Sequence, residues 1–184
     1  YRVTAHLSNA KVYQQSRQWE LMEAELRKAI ALKPDSEEAW QFLAWNYCYN
    51  RSEEFERVED KYATIRRGIE IAIEAAATNP RSAQLHWAVG WAFFHRIGKA
   101  PETDQFRRLF AADGPFHESL REHVDIDAAL GPDGEPDSFL VAKLWFAKAS
   151  SVADRFGLNE EWMRSTAFHS YPAHSQINFA LAIE

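Results

Sequence analysis

The stretch "LKPDSEEAWQFLAWNYCYN", residues 32–50, sets a proline before a short acidic turn and follows it with a run of tryptophan and tyrosine. Proline cannot continue a helix, so Pro34 separates two helical segments and the aromatic run opens the second. The same layout recurs. "RKAIALKPDSEEAW" (27–40) and "EAAATNPRSAQLHW" (74–87) both carry alanines up to a proline, then turn residues, then a helix opening with an aromatic. With Pro34 aligned on Pro80, Ala29 matches Ala75 upstream and Ala44 matches Gly90 downstream. Small side chains at matching positions are expected where two helices cross closely.

These paired positions resemble the tetratricopeptide repeat (TPR), a helix-turn-helix unit of about 34 residues. In the register of that pattern the second unit begins at Glu37 and sets Trp40, Leu43, Ala44 and Tyr47 on the first-helix signature positions. The third begins at Ala83 and sets His86, Val89, Gly90 and Phe93 there, keeping the small residue and an aromatic but losing the first Trp. A first unit from about Val3 keeps Ala10, Tyr13, Leu26, Ala29 and Pro34. The resemblance covers roughly residues 3–113 and departs from the pattern once. Between Asn50 and Pro80 lie about a dozen residues beyond what the repeat needs, so an insertion is expected around 51–62, as a helix extension or a small added turn. Segments such as "RRGIE", "GWAFFHRIG" and "SYPA" carry a looser likeness to uncharacterised bacterial TPR proteins, which implies no activity.

The expected fold is all-α: a TPR-like helical repeat array, a right-handed α-solenoid, with additional C-terminal helices. Residues 1–113 would form three helix pairs and 114–184 would pack on them. In the second part, "PFHESLREHVDIDAAL" (115–130) is expected to be a short helix and "GPDGEPD" (131–137) a loop. Ser138 is expected to cap an amphipathic helix ended by Gly157, and Asn159 to cap a short helix running to Phe168 with Glu160 and Glu161 in its first turn. "SYPAHSQINFALAIE" resembles the first helix of a further unit, unfinished at Glu184; with no Met at position 1, the chain is expected to be part of a longer protein.

The 184 residues are 46 % hydrophobic and 26 % charged, with seven Trp, twelve Phe and six Tyr, so large rings fill much of the interior. A net charge of −6 disfavours nucleic acid as the main ligand, since phosphate backbones need clustered Lys and Arg. The single Cys48 excludes an internal disulfide and a multi-cysteine metal site. No apolar run is long enough to span a membrane, so a soluble segment is expected, in a compartment the residues leave open.

Catalytic signatures are missing. There is no glycine-rich phosphate loop, no HExxH and no GxSxG. His117, Glu118, Glu122, His123, Asp125 and Asp127 are the densest set of metal-ligand types, but the two histidines are spaced for different helix faces. Asp133, Glu135 and Asp137 alternate as the first calcium-loop ligands do, without the glycine and glutamate that should follow. His169 and His174 flank a proline with no carboxylate nearby, and Cys48 reads as a small buried hydrophobe. No catalytic residue, metal or cofactor is therefore assigned.

Proteins of the resembled family bind along a concave surface made by first helices. Carried over by position, that groove comprises Trp45 and Tyr49 in the second unit and Trp87, Trp91, Phe94 and His95 in the third, as one continuous aromatic surface. Helical spacing supports a shared face for Trp87, Trp91 and His95. So much apolar surface needs covering, either by a peptide or helix of a partner protein or by the chain's own segment 138–168. The Lys and Asn that would clamp a terminal carboxylate are Gln, Trp and Tyr here, which disfavours that ligand. The expected function is a non-catalytic protein–protein interaction scaffold; an enzyme or metal-binding helical protein and a homo-oligomerisation module are the alternatives.

Overall fold

The computed structural model describes residues 1–159 and 161–183. Among the described residues the architecture is all-α, with no strand and an isolated bridge pairing Leu130 with Pro136. The chain divides into two compact units, Tyr1–Pro80 and Arg81–Glu184.

In the first unit, helices α1 (Arg2–Gln15) and α2 (Trp19–Leu32) pack on each other, then α2 on α3 (Glu37–Trp45), and α3 on α4 (Val58–Thr78). The α1–α2 turn is closed by two backbone bonds, Arg17 N–H to the Gln14 carbonyl and Gln18 N–H to that of Tyr13. This is a Schellman cap, and it holds Arg17 at φ 56°, where glycine is the usual occupant. Ser36 caps α3 by accepting from Ala39 N–H, and Glu37 and Glu38 sit in its first turn, where the helix dipole favours negative charge. The Pro34 carbonyl accepts from both Trp40 Nε1 and Asn79 Nδ2, which ties the turn between α2 and α3 to the end of α4.

Beyond Trp45 the helix widens into a π-helical segment, Asn46–Asn50, followed by a 3-10 turn, Arg51–Glu54. Residues 51–62 thus comprise that turn and the start of a long α4, whose Ile65, Ile69, Ala72 and Ala76 run along the buried face. Met22, Leu26 and Ala29 of α2 and Trp40 and Leu43 of α3 complete the core. Gly68 allows the α3–α4 crossing: a Cβ there would lie 2.5 Å from Cys48 Sγ and 3.0 Å from the Ala44 carbonyl oxygen.

The second unit opens with the same local design. Ser82 caps α5 (Ala83–Trp91) by accepting from Leu85 N–H, and α5 passes into a π-helical segment, Ala92–Ile97. Helices α6 (Thr103–Ala111) and α7 (Gly114–Leu120) follow, and then a 3-10 turn, Ile126–Ala129. The segment 115–130 is therefore interrupted rather than one helix. Arg121, paired with Glu118 and Asp127, spans the break; Asp125 and Asp127 after it favour turns, and the β-branched Val124 and Ile126 lower helix propensity.

α8 (Ser138–Phe156) is the centre of this unit and packs on both α5 and α9 (Ser165–Ala182). Its cap is Asp137, one residue earlier than the sequence suggested. The Asp137 carboxylate accepts from Phe139 and Leu140 N–H and from Arg107, so Ser138 is already helical. Gly157, at φ 94°, ends the helix. The short helix expected from Asn159 to Phe168 does not form. Asn159 instead anchors a tight turn at Glu161–Met163, while Glu160 lies outside the described residues. α9 then runs from Ser165 straight through Pro172, so the two expected pieces are one helix.

Candidate binding face

α3, capped by Ser36, ends at Trp45, and the π-helical segment after it carries Tyr49. Their rings stack with centroids 4.1 Å apart, and Trp45 stays 51 % exposed. A turn that widens into the π-helical form brings residues four apart closer to eclipsing, and Tyr49 lies in that segment. Cys48 faces the other way. It is buried, with Sγ 3.7 Å from the Ile65 carbonyl.

Beside Tyr49 opens a cleft of about 540 Å³ lined by Gln14, Gln15, Trp19, Asn50 and Glu54, among others. Two of its lining residues, Gln14 and Asn50, are held from behind by buried Asn46, which accepts from Gln14 Nε2 and Asn50 Nδ2 and donates to the Phe42 carbonyl. Arg17 and Trp19 both reach Glu54 on the rim. Gln14, Gln15 and Asn50 were not singled out from the sequence, because glutamine on a helix surface carries no distinguishing pattern.

In the second unit the corresponding positions form a ladder. Trp87 stacks on Trp91 at 5.2 Å and Trp91 on His95 at 4.8 Å, the two ring pairs lying within 11° and 10° of parallel. Here the chain supplies neighbours of its own. Tyr171 of α9 meets Trp87 edge-on at 5.1 Å and Trp91 at 6.1 Å, and Trp162 meets Trp87 edge-on at 5.1 Å. Phe94 is buried between Phe139 and Phe146 of α8. Burial, with Arg96 and Lys99 nearby, lowers the pKa of His95. Trp45 is thus open to solvent and Tyr49 half-buried beside it, while Trp87, Trp91 and Phe94 carry α8 and α9 against them.

The other candidates have local partners. His117 Nε2 is 2.7 Å from the Phe110 carbonyl, and His169 is 3.5 Å from Asp154. His174 packs on Tyr171. Asp133 accepts from Glu135 N–H in an ordinary turn, and Asp137 is the α8 cap. Among the described residues no three His, Cys, Asp or Glu side chains gather as a metal site would require, and no helix is long and apolar enough to cross a membrane.

Compared with known protein families, curated proteins and solved structures, the chain matches none significantly.

Proposed function

We propose that this chain is a non-catalytic interaction module built from TPR-like helix pairs, and that it takes a peptide or helix of a partner protein against the Trp45–Tyr49 face. The repeat reading is supported by the successive packing of α1, α2, α3 and α4, and by the shared serine cap and π-helical ending of α3 and α5. The binding reading rests on one observation above the rest. A stacked Trp–Tyr pair, half open to solvent, borders a polar-lined cleft, and aromatic anchors beside polar donors are what recognition surfaces concentrate.

Trp87, Trp91 and Phe94 take a different part in this reading. Their rings seat α8 and α9, so they hold the second unit together, and recognition falls to Trp45 and Tyr49.

Trp45→Ala and Tyr49→Ala test it, each assayed for melting temperature and for capture of proteins that the parent retains from extract. Unchanged melting with capture lost supports the binding face. Capture equal to the parent in both variants ends that assignment.

A further inference from the structure

Around Trp145 of α8 lies a group of nitrogen-bearing side chains. Trp145 is its centre. The residue is 1 % exposed, and its indole N–H, buried from solvent, has no hydrogen-bond partner. A buried donor left unpaired is rare in native proteins and calls for an acceptor. Three nitrogen bases lie near the ring. Lys148 Nζ lies 5.0 Å from its centroid, His86 of α5 has its ring centroid 6.2 Å away, and His123 has its own at 6.3 Å.

None of these three groups meets a carboxylate within ion-pairing distance among the described residues. Lys148 donates to the His123 backbone carbonyl at 2.9 Å, which leaves two ammonium protons uncommitted. His86 donates from Nδ1 to the Ser82 carbonyl at 2.8 Å, so Nε2 carries a lone pair in the neutral ring and becomes a donor on protonation. His123 contributes its carbonyl to Lys148 and its ring to Trp145. The charge of the neighbouring Glu122 acts on His123 in the opposite sense to that of Lys148.

We propose that Lys148, His123, His86 and the Trp145 indole N–H form a binding site for a phosphate-type oxyanion. The chemistry fits in three ways. An oxyanion with several oxygens accepts from several donors at once, and the four groups come from α5, α8 and the turn after α7. A fixed ammonium supplies charge at neutral pH. The two imidazoles add more as they protonate, and they are at present held back: burial and the Lys148 charge lower the pKa of both His86 and His123, and burial lowers that of Lys148. A bound anion would raise all three pKa values against that burial, so anion and protons bind together.

The test uses the whole 184-residue chain and sulfate as probe, because sulfate stays doubly charged across the histidine range. Trp indole N–H and histidine ring resonances are followed by NMR during titration, with sodium chloride at matched ionic strength as reference. Saturable movement of the Trp145, His86 and His123 signals is expected, with affinity rising as the pH falls from about 7.5 to about 5.5. Lys148→Met should weaken binding by about tenfold or more, the scale of one lost charged hydrogen bond. Lys143→Met, whose ammonium reaches Gln176 instead, should bind as the parent does. His123→Gln gives a second reading of the same site if Lys148→Met does not fold. Inorganic phosphate and glycerol phosphate then separate the sources: equal affinity supports free phosphate, and tighter ester binding supports a phosphorylated metabolite. Signals that move no more in sulfate than in chloride would overturn the proposal, as would a folded Lys148→Met or His123→Gln that binds like the parent.

Discussion

The ring of Phe146 lies 2.7 Å from the point that a Cβ on Gly90 would occupy, with two of its other carbons at 2.8 and 3.1 Å. α5 and α8 therefore meet at a distance that only glycine permits at position 90. Gly90→Ala would gain about 1 kcal/mol of helix propensity, but overpacking such a contact costs about 1–3 kcal/mol. The expected net effect is a lower melting temperature, larger for Gly90→Leu. In a Phe146→Leu background the penalty of Gly90→Ala should shrink, which a double-mutant cycle reads directly. A Gly90→Leu protein that melts like the parent would refute the contact.

The two stacked aromatic pairs should respond differently to truncation. Trp91→Ala removes a ring packed on Trp87, Phe94, His95 and Tyr171, and should cost about 2 kcal/mol or more, below the full-burial range because the ring is only partly buried. Trp45→Ala removes a half-exposed ring stacked on Tyr49, and should stay within about 1 kcal/mol of the parent. Urea unfolding of both variants checks the contrast, and equal losses would contradict it.

Arg17 sits at φ 56° in the cap that ends α1, a conformation in which an L side chain is strained. Its exposed ion pair with Glu54, at 3.6 Å, offsets little of that strain. Arg17→Gly should therefore stabilise the protein by roughly 0.5–1 kcal/mol. A drop in melting temperature would mean that the side chain contributes more than its geometry indicates.

Glu25 is a buried carboxylate on α2 that meets His6 Nδ1 at 2.7 Å, Lys28 at 2.6 Å and Asn9 at 3.1 Å. The His6 hydrogen bond, followed by those of Lys28 and Asn9, lowers its pKa from 4.5 to about 2. A carboxylate with a depressed folded-state pKa stabilises fully above its unfolded value and loses that contribution as pH falls. The parent should exceed Glu25→Gln in melting temperature near neutrality, and the gap should close between pH 4.5 and about 2. A gap that stays constant through that window would show that the charge of Glu25 is not what matters.

Much of the fold can be read from local residue chemistry. Pro34 and Pro80 end one helix each, the small residues at Ala44 and Gly90 mark close crossings, and the absence of strand-like alternation requires helices throughout. These features are legible because helix breaking and side-chain size act over a few residues. The cap at Asp137 and the passage of α9 through Pro172 are less so. Asp and Ser are both good caps, and Arg107, thirty residues earlier in the chain, adds a partner for Asp137. Asn159 turns the chain before α9, and Lys143 of α8 reaches Gln176 of α9 beyond the proline.

Helical spacing determined which aromatics share a face: Trp45 with Tyr49, and Trp87 with Trp91 and His95. It could not determine what rests on them. The pairing of Gly90 with Phe146, of Trp87 with Tyr171, and of Trp145 with His86 and His123 joins segments far apart in the chain. Amphipathicity encodes that a surface must be buried but not by which element, because the hydrophobic effect is proportional to area and blind to sequence distance. That choice is made by shape: a glycine that admits a ring, and a tyrosine edge that meets a tryptophan face.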